Sequence, residues 1–214
     1  MEQLPFNSCD YRCEHCLVTA ECAVFRKLQE HSLQYGDDGG ERNDPTSILR
    51  GMRESFRETE ARIKRKAREL GIDIDEIAGG TSAEEIREQH RGAEDDPLYK
   101  RSYGFTMQTH GFLQVADGVV AGEAREYLDD IAWHHAVVTA KVYRALGWRT
   151  HEEGAIDAKK SAAVAIKSLT ICIMAFDYLA SRYPALLQEC GKLSAVARQI
   201  KEGIRERIKP TDAA

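Results

Sequence analysis

SAAVAIKSLTICIMAFDYLA, residues 161–180, is the most apolar run in the chain, and whether it crosses a bilayer or fills a protein core decides the fold. Lys167 and Asp177 interrupt it, and Ser and Thr are scattered through it, so it reads as a buried core helix rather than a membrane span. Its stripe runs through Ala162, Ile166, Leu169, Ile173, Phe176, Ala180 and Tyr183 at three-four spacing, while Ala165, Cys172 and Leu179 widen the apolar face. The spacing predicts a central helix over 155–183, ended or kinked by Pro184.

Further helices follow on both sides of this run. Downstream, Leu186, Cys190, Leu193, Ala197, Ile200, Ile204 and Ile208 trace a final helix whose stripe suits an internal core or an intermolecular seam in a homodimer. Upstream, Ala124, Leu128, Ile131, His135, Val138, Val142 and Leu146 mark a helix over 122–147. Asp96 and Pro97 supply an N-cap and a first-turn proline for a helix reaching Ala116, and Gly118 and Gly122 bracket the next turn. Asp44 and Pro45 repeat that device before Leu49, Met52, Phe56, Ile63, Ala67 and Leu70, with Gly71 as the stop. Between them, residues 71–96 read as a loop holding a short helix opened by a capping box from Ser82 to Glu85.

Nothing alternates with period two and no repeat of fixed period is present, so the expected fold is all-α. It is an antiparallel bundle of four to five long helices with a small N-terminal four-cysteine module. The turn-rich stretch YGDDGGERND, residues 35–44, sets the expected division: 1–40 as cysteine-rich metal-binding module and linker, 41–214 as helical bundle.

The 214 residues carry 30 basic and 35 acidic side chains, a formal charge of -5, intermixed along the chain. That balance argues against nucleic acid as principal partner. The basic run ARIKRKAREL, residues 61–70, reads as a solvated helix face. The start, MEQLPFNSCD, has no basic stretch followed by an apolar one, which points to the cytoplasm. In that reducing compartment closely spaced cysteines bind metal or do chemistry instead of pairing.

Four of the six cysteines fall within CDYRCEHCLVTAEC, residues 9–22, spaced Cys9-x3-Cys13-x2-Cys16-x5-Cys22. Thiolates this close repel one another unless a metal takes up their charge, so the four read as one ligand set. A zinc site usually has two C-x2-C knuckles, and here there is one, flanked by two single cysteines. Compact, staggered runs suit a 4Fe-4S cluster, which is slightly favoured over zinc, although Ala23 stands where a proline commonly follows the last cluster cysteine. His15 could substitute as a ligand but reads as a solvated loop residue. Cys172 and Cys190, on apolar stripes, read as small buried hydrophobes.

Cys9-x3-Cys13-x2-Cys16 resembles the three-cysteine motif of the radical SAM enzymes, whose thiolates hold a cluster with one iron open to S-adenosylmethionine. The resemblance covers eight residues. That family implies a barrel of alternating strands and helices, whereas this chain reads as helical after residue 40 and supplies Cys22 to close the open iron.

A second candidate group lies in the helices: His110, Asp130, His134 and His135, with Glu60, Lys167 and Asp177 also able to face inward. Glu-x-x-His, the usual mark of a metal pair in a bundle, is absent. A histidine on an apolar stripe is more often hydrogen-bonded within the core. No Ser-His-Asp order, glycine-rich phosphate loop or nucleotide fingerprint occurs, so an enzyme built on the His and Asp pocket ranks behind binding. The expected function is a cytoplasmic metal-binding protein in electron transfer, redox sensing or protein-partner binding. The alternative is a zinc-stabilised helical adaptor.

Overall fold

Asp96 shows how the local code becomes a bundle. In the computed structural model, which describes residues 9–22, 25, 26, 29, 57, 60–73, 92–149 and 154–208, its Oδ1 accepts the Leu98 amide at 2.8 Å and Pro97 opens the helix. That helix is α1, Pro97–Ala116. Three more follow: α2, Arg125–Trp148; α3, Ala155–Arg182; and α4, Leu187–Arg207. The described residues contain no strand.

Cross-helix partners set the directions. His134 of α2 meets Ser168 of α3 and Arg144 meets Asp157, so the numbers rise on one helix as they fall on the other. On α3 and α4, Asp177 meets Ser194 while Thr170 meets Lys201, the same antiparallel sense. α2 packs on α1 and α3, α3 on α4, and α4 closes the ring against α1. This is an up-down-up-down four-helix arrangement.

The apolar stripes meet in one core. All seven positions of the α2 stripe from Ala124 to Leu146 are buried, as are all seven from Leu186 to Ile208 around α4, so the latter stripe is used inside the bundle. α3 buries twelve residues, more than any other helix among the described residues. It is long and apolar enough to cross a membrane by length and hydropathy, and here just over half of that apolar window is buried, packed against α2 and α4. Phe105 and Phe112 of α1 meet Phe176 of α3 edge to face, with centroids at 6.3 and 5.5 Å. Such pairs contribute roughly 0.5–1.5 kcal/mol beyond the area they bury.

The connections are short and individually secured. Gly122, at φ +63, takes a left-handed conformation just before α2 that a side chain would oppose. Pro184 stands two residues after α3 ends and opens the turn into α4. The Tyr183 hydroxyl, in that turn, donates to the Ala121 carbonyl at 3.3 Å, linking both turns at one end of the bundle.

The chain divides into two compact units, residues 1–14 with 88–214, and residues 15–87. In the second, residues 60–70 are helical. Gly71, at φ +67, ends that helix, with its amide on the Arg68 carbonyl and the Ile72 amide on the Ala67 carbonyl. These paired bonds are a Schellman cap. Of the stripe expected here, Ala67 is buried while Ile63 and Leu70 are exposed, and Lys64 and Lys66 pair locally with Glu60 and Glu69. The expected start of this helix at 44 and the capping box from Ser82 to Glu85 lie outside the described residues.

Asp96 is only 7% exposed and also receives the guanidinium groups of Arg207, at the end of α4, and Arg149, just after α2. Replacing it by Ala should cost about 1–3 kcal/mol in urea unfolding, and Asp96→Asn, which keeps a capping oxygen, less.

Candidate functional site

A turn at Tyr11 organises the first two cysteines. Tyr11 has φ +61, a conformation that side chains other than Gly, Asn and Asp rarely adopt. Its amide donates to Cys9 Sγ at 3.2 Å and its carbonyl accepts the Cys13 amide at 3.0 Å. The Arg12 amide reaches Asp10 Oδ1 at 3.2 Å. The backbone is thereby folded around the Cys9 sulfur, and a 3-10 turn, Cys13–His15, follows.

Cys9 and Cys13 belong to the unit that contains the bundle, and Cys16 and Cys22 to the second. There, a 3-10 turn at Thr19–Glu21 ends with the Cys22 amide on the Thr19 carbonyl at 3.1 Å. All four cysteines are half-buried, and His15 is exposed. Among the described residues, no three His, Cys, Asp or Glu side chains are gathered as a group that could hold a metal ion. Cys172 and Cys190 lie fully in the core, where burial pushes their thiols up to about 12 and about 11.

Residues 10–12 are held to α2 and α3 by charge and hydrogen bonds. Asp10 Oδ2 accepts from Lys167 Nζ at 2.7 Å, and the Asp10 carbonyl from Trp133 Nε1 at 2.9 Å. The Arg12 guanidinium pairs with Asp130. Lys141 Nζ stands 5.4 Å from the centroid of the Tyr11 ring. Burial pushes the Asp10 carboxyl up, but the Lys167 hydrogen bond, the Arg12 amide and the nearby positive charges outweigh it and leave the carboxyl below its ordinary 3.8. Lys141 is only 8% exposed, and that burial lowers its pKa even though Cys9 and Asp10 pull it upward.

The second group from the sequence is dispersed. His134, 1% exposed, shares a hydrogen bond between Nδ1 and Ser168 Oγ at 3.1 Å, toward α3. His135 Nδ1 donates to the Ile131 carbonyl of its own helix at 3.0 Å. His110 is exposed beside Gln114, and Asp130 is engaged by Arg12. Lys167 and Asp177 do not pair with each other: one holds Asp10, and the other Ser194 and Arg198. Glu60 is exposed and pairs with Lys64.

The sequence reading missed Asp10, Arg12, Trp133 and Lys141 as docking residues. For Lys141 a signal existed. It interrupts the buried series Ile131, His134, Val138, Lys141 and Ala145, the only long cation on that face.

Burial lowers both His134 and His135 from their ordinary 6.5. Below 6.5 the unfolded chain therefore binds more protons than the folded one, and stability is complete above that value and lost as pH falls beneath it. Urea unfolding should show stability falling between pH 7.5 and 5.5, by at most about 1.4 kcal/mol per pH unit per histidine. The slope should flatten in the His134→Gln, His135→Gln double variant.

No family model, curated protein or solved structure matches the chain.

Proposed function

We propose that the protein is a cytoplasmic metal-binding protein whose ligands are Cys9, Cys13, Cys16 and Cys22, with a 4Fe-4S cluster slightly favoured over zinc. The helical bundle serves as the platform on which the loaded module is read, in electron transfer, redox sensing or binding of a protein partner. What carries the reading is the presence of four half-buried cysteines within fourteen residues. Four thiolates match either group in kind and number. The backbone amide on Cys9 Sγ adds to this, because N–H donors to sulfur stabilise thiolate ligands and tune a cluster's potential.

The docking of residues 10–12 supports the platform role. A cysteine segment clamped on α2 and α3 transmits a change at its thiols to helices that a partner can touch. A cluster would supply one-electron chemistry, and zinc would supply folding free energy to the segment around it.

Purification without air, followed by an absorption spectrum and elemental analysis of one sample, tests the proposal. A brown protein with a band near roughly 400 nm and about four irons and four sulfides per chain is the expected result. A colourless protein with about one zinc leaves the ligand set and changes the metal. Cys9→Ser, Cys13→Ser, Cys16→Ser and Cys22→Ser should each lose most of the bound metal, while Cys172→Ser keeps it. Wild-type protein free of both metals would overturn the proposal.

A further inference from the structure

A buried hydrogen bond between α2 and α3 sets the level at which the first cysteines are held. His134 and Ser168 form that bond, and the residues just before them in sequence, Trp133 and Lys167, are thereby brought to one height on adjacent helices. Each gives a donor to Asp10: Trp133 Nε1 to its carbonyl at 2.9 Å, and Lys167 Nζ to its Oδ2 at 2.7 Å. Asp130 lies three residues before Trp133, on the same face of α2, and receives the Arg12 guanidinium. Exposed ion pairs contribute little, but the Asp10 and Arg12 side chains are only 15% and 12% exposed.

The segment held in this way is strained. Tyr11, between Asp10 and Arg12, has φ +61, which a residue with a side chain keeps only where its surroundings over-determine it. The contacts to α2 and α3 act on the residues at either side of it and stabilise the turn. That turn places two of the cysteines, because the Tyr11 amide donates to Cys9 Sγ at 3.2 Å and the Tyr11 carbonyl accepts the Cys13 amide at 3.0 Å. One carboxylate joins the two roles: Asp10 Oδ1 accepts the Arg12 amide within the turn, and Oδ2 ties the turn to α3.

We propose that Asp130, Trp133 and Lys167 are positioning residues for the cysteine site, holding from α2 and α3 the strained turn that preorganises Cys9 and Cys13 as ligands. The inference rests on the metal-binding reading above. A free segment loses conformational freedom when it closes on a metal, whereas a turn already fixed by the bundle loses less, so the metal is bound more tightly. Metal affinity then depends on three side chains that ligate nothing and stand more than a hundred positions along the chain. The coupling is reciprocal, so a bound metal strengthens the docking by the same factor. Supporting groups around a metal site typically change affinity by about 10–100-fold when removed.

The test uses full-length apoprotein kept reduced without air and titrated with Zn2+ against a chromophoric chelator. The triple variant Asp130→Asn, Trp133→Phe, Lys167→Met removes the contacts from the bundle side, and the double variant Asp130→Glu, Lys167→Arg keeps both charge pairs. The expected result is zinc binding weakened by about 10–100-fold in the triple variant and near wild type in the double variant, with unchanged helical circular dichroism and urea midpoint of the apoproteins. A merely structural role would move the midpoint instead. Equal affinity in wild type and the triple variant would overturn the positioning role while leaving the metal reading intact. Wild-type protein that takes up no zinc and holds no cluster would overturn both. If the triple variant loses helix content, the contacts are removed from the other side with Asp10→Asn and Arg12→Gln together, and wild-type affinity in that variant would overturn the proposal.

Discussion

α3 can leave water only because it is flanked on two sides, and the remaining helices take their places from that constraint. Its twelve buried side chains face α2 on one flank and α4 on the other, and Phe176 crosses the interior to Phe105 and Phe112 of α1. Alternating large and small residues, with Phe176 beside Ala175, and Leu169 and Cys172 beside Ala165, let the neighbours approach closely. Helix propensity alone would not hold such an arrangement, since most helical stability in proteins comes from packing of the apolar face.

A consequence of burying α2 and α3 against each other is a defined polar strip where their outer edges meet. Asp130, Trp133, Lys141 and Lys167 project there at positions set by the helix register, so residues 10–12 find fixed partners. Surface ion pairs usually contribute little, but Asp10 and Arg12 are mostly shielded from solvent and each also belongs to a turn around Cys9. The bundle thereby fixes the first part of the cysteine stretch by contacts to side chains far along the chain. In the proposed function this is how the state of the thiols reaches the helices.

The helices were legible because their signals are local. The N-cap at Asp96, the stop at Pro184, the turn at Gly122 and the stripes on α2, α3 and α4 each depend on residues within a few turns of one another. Of the candidate site, the sequence marked the cysteines and not the side chains that the first of them lie against. That His134 turns to Ser168 while His135 bonds its own helix depends on which neighbour each meets, and adjacent residues on one stripe carry no mark of it. The pairing of Arg12 with Asp130 and of Asp10 with Lys167 joins residues more than a hundred positions apart, which spacing cannot encode. Ile63 and Leu70 show the converse: three-four periodicity marks a face capable of burial, and tertiary packing decides whether it is buried.

X-ray absorption at the edge of the bound metal tests whether the four proposed thiolate ligands form one set. A four-thiolate site gives a first shell of about four sulfurs, near roughly 2.3 Å for either zinc or an iron-sulfur cluster, with iron-iron scattering added in the second case. A first shell dominated by nitrogen and oxygen would contradict it, and the residues 9–22 would then need another explanation.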